Sequence, residues 1–121
     1  MQFTWLAFLD QALKRKIPME HLLPLGTSNV ADRFGLTGKK GRIRPGADAD
    51  LVILRLDETT YADQPSFRFR NAFSPYEGMT FELRIKKTIL RGNIIYDDQT
   101  GPITEKYGRC LGREDYGSIS S

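Results

Sequence analysis

Few side chains in this sequence have the chemistry of a metal centre or a nucleophilic active site. The chain has one histidine, His21, and one cysteine, Cys110, whereas a metal site needs several ligands that converge on one point. Arg109 beside Cys110 could activate the thiol, but a catalytic thiol also needs a base that orients it. The only histidine is far away in the sequence, so we expect no nucleophilic pair and interpret His21 as a surface or hydrogen-bonded histidine.

A pair of carboxylates comes nearest to a catalytic pattern. Asp48 and Asp50 are two residues apart and precede an apolar run, so they could act as a general acid and a general base. Asp is also common where a chain turns into a strand, because its side chain accepts hydrogen bonds from nearby backbone amides. We favour the turn role.

Two other stretches have simpler explanations than catalysis. Gly38-Lys39-Lys40-Gly41 suggests a phosphate loop, but it lacks the Lys-Ser/Thr ending and a preceding strand. The hydroxyls of Thr27 and Ser28 have no base beside them, so helix capping accounts for them better. We therefore expect no catalytic, cofactor-binding or metal-binding residue in this chain.

The first third of the chain is predicted to be helical. A helix from Thr4 to Lys16, with Thr4 as its N-cap, is indicated by apolar residues at helical spacing: Trp5, Phe8, Leu9, Ala12 and Leu13. Ile17-Pro18 should end it, because a residue before proline avoids the helical region.

Two shorter helices are predicted to follow. The second would begin at Pro18, with Pro24 breaking or kinking it within two turns. The third would be capped by Ser28 or Asn29 and would end at Gly35, where a left-handed residue is needed.

A hinge from Lys39 to Leu54 separates these helices from a β-rich remainder. Gly41 allows a positive φ, and Pro45-Gly46 favours a type II turn. The apolar run from Leu51 to Leu54 predicts a strand buried on both faces, which extends to Leu56.

The strongest β-structure prediction is a hairpin over residues 81–97. Its first strand would run from Phe81 to Leu90, and its second strand would return through Ile94-Ile95-Tyr96 after a turn at Arg91-Gly92-Asn93.

A short strand is expected at Thr59-Thr60-Tyr61. We expect residues 62–78 to form a surface loop held by apolar anchors at Phe67, Phe69 and Phe73. Residues 112–121 should be poorly ordered.

Composition and charge narrow the function classes. A chain of 121 residues suits one modest core. The net charge of +3 is spread without a basic block, so we interpret Arg42, Arg44, Lys86 and Lys87 as solvated positions and expect no nucleic-acid partner. The apolar start is too short to span a bilayer, and a single cysteine favours a reducing, cytoplasmic location.

Four stretches together resemble a known enzyme family. They are Ser28 to Leu36, Lys40 to Ile53, Phe73-Ser74-Pro75-Tyr76-Glu77-Gly78, and Arg84 to Asp97. The first two resemble the C-terminal region of cyclic amidohydrolases, a superfamily that includes dihydropyrimidinases, dihydroorotases and deaminases. The last two are most similar to its allantoinase branch. The resemblance covers roughly Phe3 to Leu111, yet it corresponds to only the C-terminal part of such an enzyme.

The resemblance implies an α+β fragment. Residues 1–40 would be the terminal helices of a (β/α)8 barrel, residues 41–107 part of a small composite β-sandwich with the hairpin 81–97, and residues 108–121 a flexible tail. The parent enzyme would hydrolyse a cyclic amide such as allantoin in purine and ureide catabolism. It would use two metal ions, typically zinc, whose ligands would all precede Met1. The resemblance assigns none of those ligands to this chain.

Two functional hypotheses follow. The chain is either a catalytically silent portion of an allantoinase-like hydrolase, or a non-catalytic module that self-associates. The second hypothesis arises because the sandwich would lack its N-terminal strands, which would expose strand edges and apolar sheet faces.

Overall fold

The computed structural model describes residues 3–63 and 74–111. Within them, three helices precede two antiparallel sheets. The helices are α1 (Thr4–Lys14), α2 (Met19–Gly26) and α3 (Ser28–Phe34). The strands are β1 (Leu51–Arg55), β2 (Thr60–Tyr61), β3 (Thr80–Phe81), β4 (Arg84–Leu90), β5 (Asn93–Asp97) and β6 (Gly101–Pro102).

Helix α1 confirms the first helical prediction but has different ends. The N-cap position is Phe3, without a side-chain capping bond, so the prediction of Thr4 as the cap is wrong. At the other end the helix stops at Lys14, and Lys16 adopts a left-handed φ of 56°. The N–H of Ile17 then donates to the carbonyl of Ala12 at 2.9 Å, a bond that closes the helix two residues before the predicted end at Lys16.

Helix α2 continues through Pro24, contrary to the expected break. Proline removes one backbone N–H from the helix, but only two helical residues follow Pro24. The hydroxyl of Thr27 donates to the carbonyl of Leu23 at 2.8 Å and satisfies a carbonyl in the last turn. Leu22 packs against the core and holds the helix in place.

Helix α3 ends as predicted. Gly35 has a φ of 73°, and the N–H groups of Gly35 and Leu36 donate to the carbonyls of Asp32 and Ala31 at 3.3 and 2.8 Å. This pair of bonds is a Schellman motif, which needs a left-handed residue after the helix. The predicted caps differ, because the helix begins at Ser28 and its N-cap position is Thr27, without a side-chain bond.

The hinge has the predicted turn chemistry. Gly41 and Gly46 have φ values of 85° and 86°. The N–H of Ala47 donates to the carbonyl of Arg44 at 3.1 Å, which closes a four-residue turn around Pro45 and Gly46.

Strands β1, β4, β5 and β6 form one sheet in that order, and β2 pairs with β3 in a second sheet. The β4–β5 hairpin is confirmed, with left-handed φ values of 46° at Arg91 and 83° at Gly92.

The predicted continuous strand from Phe81 to Leu90 is wrong, because β3 and β4 belong to different sheets. At the break between them, the N–H of Glu82 donates to the carboxylate of Asp10 at 2.8 Å and the hydroxyl of Thr60 donates to the carbonyl of Leu83 at 2.7 Å. Side chains thus replace the ladder bonds that a continuous strand would have made.

The prediction that β1 is buried on both faces is also wrong. Val52 is 54% exposed and Ile53 is 45% exposed, whereas Leu51 and Leu54 are half-buried. The core lies instead between α1 and the β3–β4 region and consists of Phe3, Leu6, Leu9, Ala62, Phe81 and Leu83. Strand β1 lies at an edge of the sheet, so only its neighbour β4 covers it laterally in the described part of the chain.

Several expectations lie outside the described residues. They concern the anchors Phe67, Phe69 and Phe73 and the tail 112–121. Among residues 3–63 and 74–111, no helix combines the length and apolar character needed to cross a membrane.

Candidate functional site

The side chains that the sequence singled out for chemistry do not form one site. His21 is exposed on α2, and Cys110 is a free, exposed thiol beyond β6. Residues 38–41 lie in the turn after α3, without a preceding strand. Thr27 and Ser28 mark the start of α3, where the hydroxyl of Thr27 is bonded to Leu23.

Asp48 and Asp50 are brought together, but by a lysine. The ammonium of Lys40 lies 2.9 Å from Asp48 Oδ2 and is also hydrogen-bonded to Asp50 Oδ2. The other oxygen of Asp50 accepts the backbone N–H of Arg91 at 2.9 Å, and the N–H of Gly92 donates to the carbonyl of Ala49 at 3.0 Å. The carboxylate of Asp50 and the carbonyl of Ala49 therefore fasten the β4–β5 turn to the start of β1.

The electrostatics of this lysine–carboxylate cluster favour a structural role. Partial burial disfavours the charge of Lys40, but its hydrogen bonds to Asp50 and Asp48 outweigh burial and raise the pKa of the lysine above its ordinary value. Its side chain is only 14% exposed. A single ammonium offsets only one of the two negative charges, but it fixes Oδ2 of both carboxylates by direct pairing, which is the arrangement of a structural ion cluster and not of a free general base.

A second cluster ties the loop after β1 to the β5–β6 turn. The carboxylate of Asp98 accepts hydrogen bonds from Arg84 Nε at 2.8 Å and from Lys86 Nζ at 3.1 Å. Lys86 also donates to Glu58 at 2.9 Å, and Arg84 donates to the carbonyl of Thr59 at 3.1 Å. The Arg84 hydrogen bond lowers the pKa of Asp98, with a smaller contribution from Lys86 and against the effect of burial.

Lys86 takes part in this cluster because of a β-bulge. Ile53 of β1 pairs with Lys87 and Leu54 pairs with Ile85, so Lys86 is an extra residue on β4. A bulge turns the side chain of the inserted residue away from the regular alternation. Lys86 reaches Glu58 and Asp98 as a result.

The Asp98 cluster forms one wall of a groove in the described part of the chain. This groove has a volume of about 660 Å³ and is lined by Phe3, by Leu6 of α1, by Ile85 and Thr88 of β4, and by Tyr96 of β5. Its charged wall is neutralised internally, because Arg84 is paired with Asp98. The groove could hold a neutral ligand, and the carboxylate beside its Tyr96 hydroxyl, that of Asp98 at 3.5 Å, is already paired with Arg84 and Lys86.

The basic side chains considered for nucleic-acid binding are engaged within the chain. Arg42 makes a bidentate pair with Asp32 at 2.9 and 3.0 Å, and this hydrogen bonding lowers the pKa of Asp32. Arg44 donates to the carbonyl of Thr37 at 2.6 Å. Lys87 lies 3.5 Å from a carboxylate oxygen of Asp97.

The described residues do not fit the metal pair that the resemblance implies. In residues 3–63 and 74–111, no group of three or more His, Cys, Asp or Glu side chains could hold a metal ion. The densest carboxylate pair, Asp48 and Asp50, already binds the ammonium of Lys40.

The sequence does not indicate the side chains that hold together the cluster around Lys40 and the cluster around Asp98. The sequence pattern places Lys40 in a possible phosphate loop and marks neither Asp98 nor Asp10 as a partner. Asp10 is 3% exposed, and a carboxylate on the apolar side of a helix was a signal that could have found it.

Comparison with known proteins identifies what the chain is similar to. The model of a family described as "Amidohydrolase family" matches residues 10–96. An allantoinase of Salmonella newport (strain SL254) and another of Salmonella heidelberg (strain SL476) are each 43% identical over 99 residues. Each alignment covers 80% of this chain and 22% of the relative. The chain therefore spans about a fifth of the length of these relatives.

Solved structures show the same relationship. The L-hydantoinase (dihydropyrimidinase) from Arthrobacter aurescens superimposes with a TM-score of 0.69 and 30% identity over 76% of this chain and 20% of that one. A D-hydantoinase superimposes with a TM-score of 0.66 and 28% identity over 74% of this chain and 20% of that one.

Proposed function

Because the chain belongs to the amidohydrolase family, we propose that it is the C-terminal portion of an allantoinase-like enzyme that hydrolyses a cyclic amide. The observation that carries the proposal is the 43% identity to allantoinases over 99 residues. In this proposal α1–α3 are the last helices of a barrel, within residues 1–40, and the strands of residues 41–107 are part of a small β-sandwich. Residues 108–121 form a tail.

The chain contributes structure to this enzyme and is catalytically silent by itself. Its described residues offer no cluster of metal ligands, and its two charged clusters are paired internally. The rest of the longer polypeptide would supply the two metal ions, typically zinc, and the groups that bind the substrate. A cytoplasmic location is part of the proposal, and the free thiol of Cys110 supports it.

Two measurements test this function. The purified chain, with and without added zinc, is expected to show no allantoin hydrolysis. A chimera of the Salmonella newport allantoinase, in which this chain replaces the aligned C-terminal region, is expected to hydrolyse allantoin. Turnover by the chain alone would refute the silent role, and a folded but inactive chimera would refute the assignment to allantoinases.

A second candidate is a self-associating structural module. Strand β1 is at the edge of its sheet and exposes Val52 and Ile53, and Ile94 on β5 is 44% exposed. An apolar edge strand is a template for pairing with another chain. Light scattering at increasing concentration should then show oligomers that Val52→Lys dissociates. A monomer at high concentration would remove this candidate.

A further inference from the structure

The β4–β5 turn contains a residue whose type does not match its backbone. Arg91 has a φ of 46° and Gly92 a φ of 83°, which are the positive values that a type I′ turn requires. Asn-Gly is the preferred pair in such a turn, because asparagine adopts a left-handed φ more readily than other residues with a side chain. An arginine at this position is strained, and strain of this kind persists where the surrounding structure holds the residue in place.

The guanidinium of Arg91 binds the chain beyond β6. It donates a hydrogen bond to the backbone carbonyl of Tyr107, and both residues are half-buried. A hydrogen bond from a charged donor is stronger than one between neutral groups. An asparagine amide ends much closer to the backbone than a guanidinium does, so the strained arginine makes a contact that the preferred turn residue would lose.

The segment that ends at Tyr107 is attached to the hairpin at a second point. The pairing of β5 with β4 skips Ile95, which is an extra residue at a β-bulge. The carbonyl of Ile95 accepts the N–H of Ile103 at 3.1 Å. Residues 104–106 are exposed between the two attachments. We call residues 103–107 the strap, because hydrogen bonds to the hairpin hold it at both ends.

The backbone of Arg91 is bound to the hinge. Its N–H donates to one carboxylate oxygen of Asp50 at 2.9 Å, and the ammonium of Lys40 holds the other oxygen. Arg91 thus joins the hinge through its main chain and the strap through its side chain. A displacement of Asp50 moves the backbone from which the guanidinium reaches Tyr107.

We propose that Arg91 is a latch that couples the strap to the hinge. In the latched state the Lys40–Asp50 pair fixes the turn, and the turn holds the strap. Loosening the hinge releases the strap, and because coupling between two sites is reciprocal, releasing the strap loosens the contact between Asp50 and the turn. Arg91 is a positioning residue in this device. The inference does not rest on the proposed function, since every contact lies within the chain.

Arg91→Asn tests the latch, and hydrogen exchange of the purified chain measures it. The substitution creates the preferred Asn-Gly turn, so exchange in the paired strands β4 and β5 should stay the same or slow down. Exchange of the Ile103 N–H should become about tenfold faster, because the strap loses a charge-assisted hydrogen bond. Arg42→Asn is the matched control, since that guanidinium binds Asp32 and not the strap, and it should leave Ile103 unchanged.

Three outcomes would overturn the latch. Exchange at Ile103 could be unchanged in Arg91→Asn, it could rise equally in Arg42→Asn, or it could rise together with exchange throughout β4 and β5. The third outcome would make Arg91 an ordinary part of the hairpin. Arg91→Lys is a second variant that keeps a long cationic side chain, and it should retain most of the protection at Ile103. A release as complete as that in Arg91→Asn would also reject the proposal.

The coupling itself is tested from the side of the hinge. Lys40→Met should accelerate exchange at Ile103 although Lys40 does not contact the strap, and the acceleration should exceed that of amides in the middle of α1, which report global unfolding. In the double variant Lys40→Met/Arg91→Asn, the effect at Ile103 should be smaller than the two single effects combined, because Arg91 carries the coupling. Independent effects, or no effect of Lys40→Met at Ile103, would refute it.

Discussion

The carboxylate of Asp10 on α1 accepts a hydrogen bond from the backbone N–H of Glu82 at 2.8 Å, across 72 positions of sequence. The bond lies where the chain leaves β3 and enters β4, and the same carboxylate is 2.8 Å from Lys14 Nζ. Asp10 is 3% exposed, so a single buried carboxylate joins the helices to the sheets and sets the point at which a predicted continuous strand breaks.

Asp10→Ala is expected to lower the free energy of unfolding by about 1–3 kcal/mol, because it removes the charged acceptor of the hydrogen bond from the Glu82 N–H. Urea denaturation measures the loss. Asp57→Asn is the control, since Asp57 pairs with Arg55 at an exposed position, where water and salt screen an ion pair and it contributes little to stability. Equal losses in the two variants would contradict a special role for Asp10.

Lys40→Met should destabilise the chain by about 2 kcal/mol, because it removes the cation that holds Asp48 and Asp50 together. Lys39→Met is the matched control, since the ammonium of Lys39 donates to a backbone carbonyl, that of Gly46. Hydrogen exchange at Arg91 and Gly92 would localise the effect, because both N–H groups are bonded to the strand-entry segment. Unchanged protection there would argue against the cluster as a fastener.

Gly41→Ala should be more destabilising than Gly46→Ala. Both residues have a φ near +85°, which costs an alanine about 1–2 kcal/mol. A Cβ on Gly46 would meet nothing within 4 Å, but one on Gly41 would lie 2.6 Å from Ala31 Cβ and 2.9 Å from the carbonyl oxygen of Thr27. Overpacking adds about 1–3 kcal/mol. Thermal unfolding of both variants would show equal midpoints if α3 did not pack on the hinge.

Gly26→Ala should displace the only tryptophan. A Cβ at Gly26 would lie 1.6 Å from Trp5 Cζ2, so the ring must move away from α2. We expect a red shift of the Trp5 emission, because the indole gains contact with water. Gly108→Ala, which has open space around it, should leave the spectrum unchanged. An unshifted spectrum in Gly26→Ala would contradict the packing of Trp5 on α2.

Asp98→Asn should weaken the chain at neutral pH but not in acid. The hydrogen bond from Arg84 holds the pKa of Asp98 below its usual value of 3.8, so its charged form stabilises the fold above that pH. The contribution is lost as the pH falls below 3.8 towards the lowered pKa. Unfolding curves of the wild type and the variant should therefore converge in acid. A difference between the wild type and Asp98→Asn that stays constant across the pH range would refute the linkage.

Local signals in the sequence were sufficient for the helices, the hinge and the hairpin. Helical spacing located α1, and glycines were correctly placed at left-handed positions, at Gly35 after α3 and at Gly41 and Gly46 in the hinge. These features depend on backbone sterics and on residues a few positions apart. The same stretches carried the resemblance to cyclic amidohydrolases, and the family model bears out membership of the amidohydrolase family.

Only the tertiary structure decided how these elements meet. It divided the predicted strand at Glu82, because Asp10 supplies the hydrogen-bond acceptor that a neighbouring strand would have provided. It also left Val52 and Ile53 exposed, because β1 lies at the sheet edge, and it placed Lys40 between the two carboxylates that had suggested catalysis. A sequence records which groups a residue offers, whereas burial and pairing depend on residues that are distant along the chain and become neighbours only when it folds.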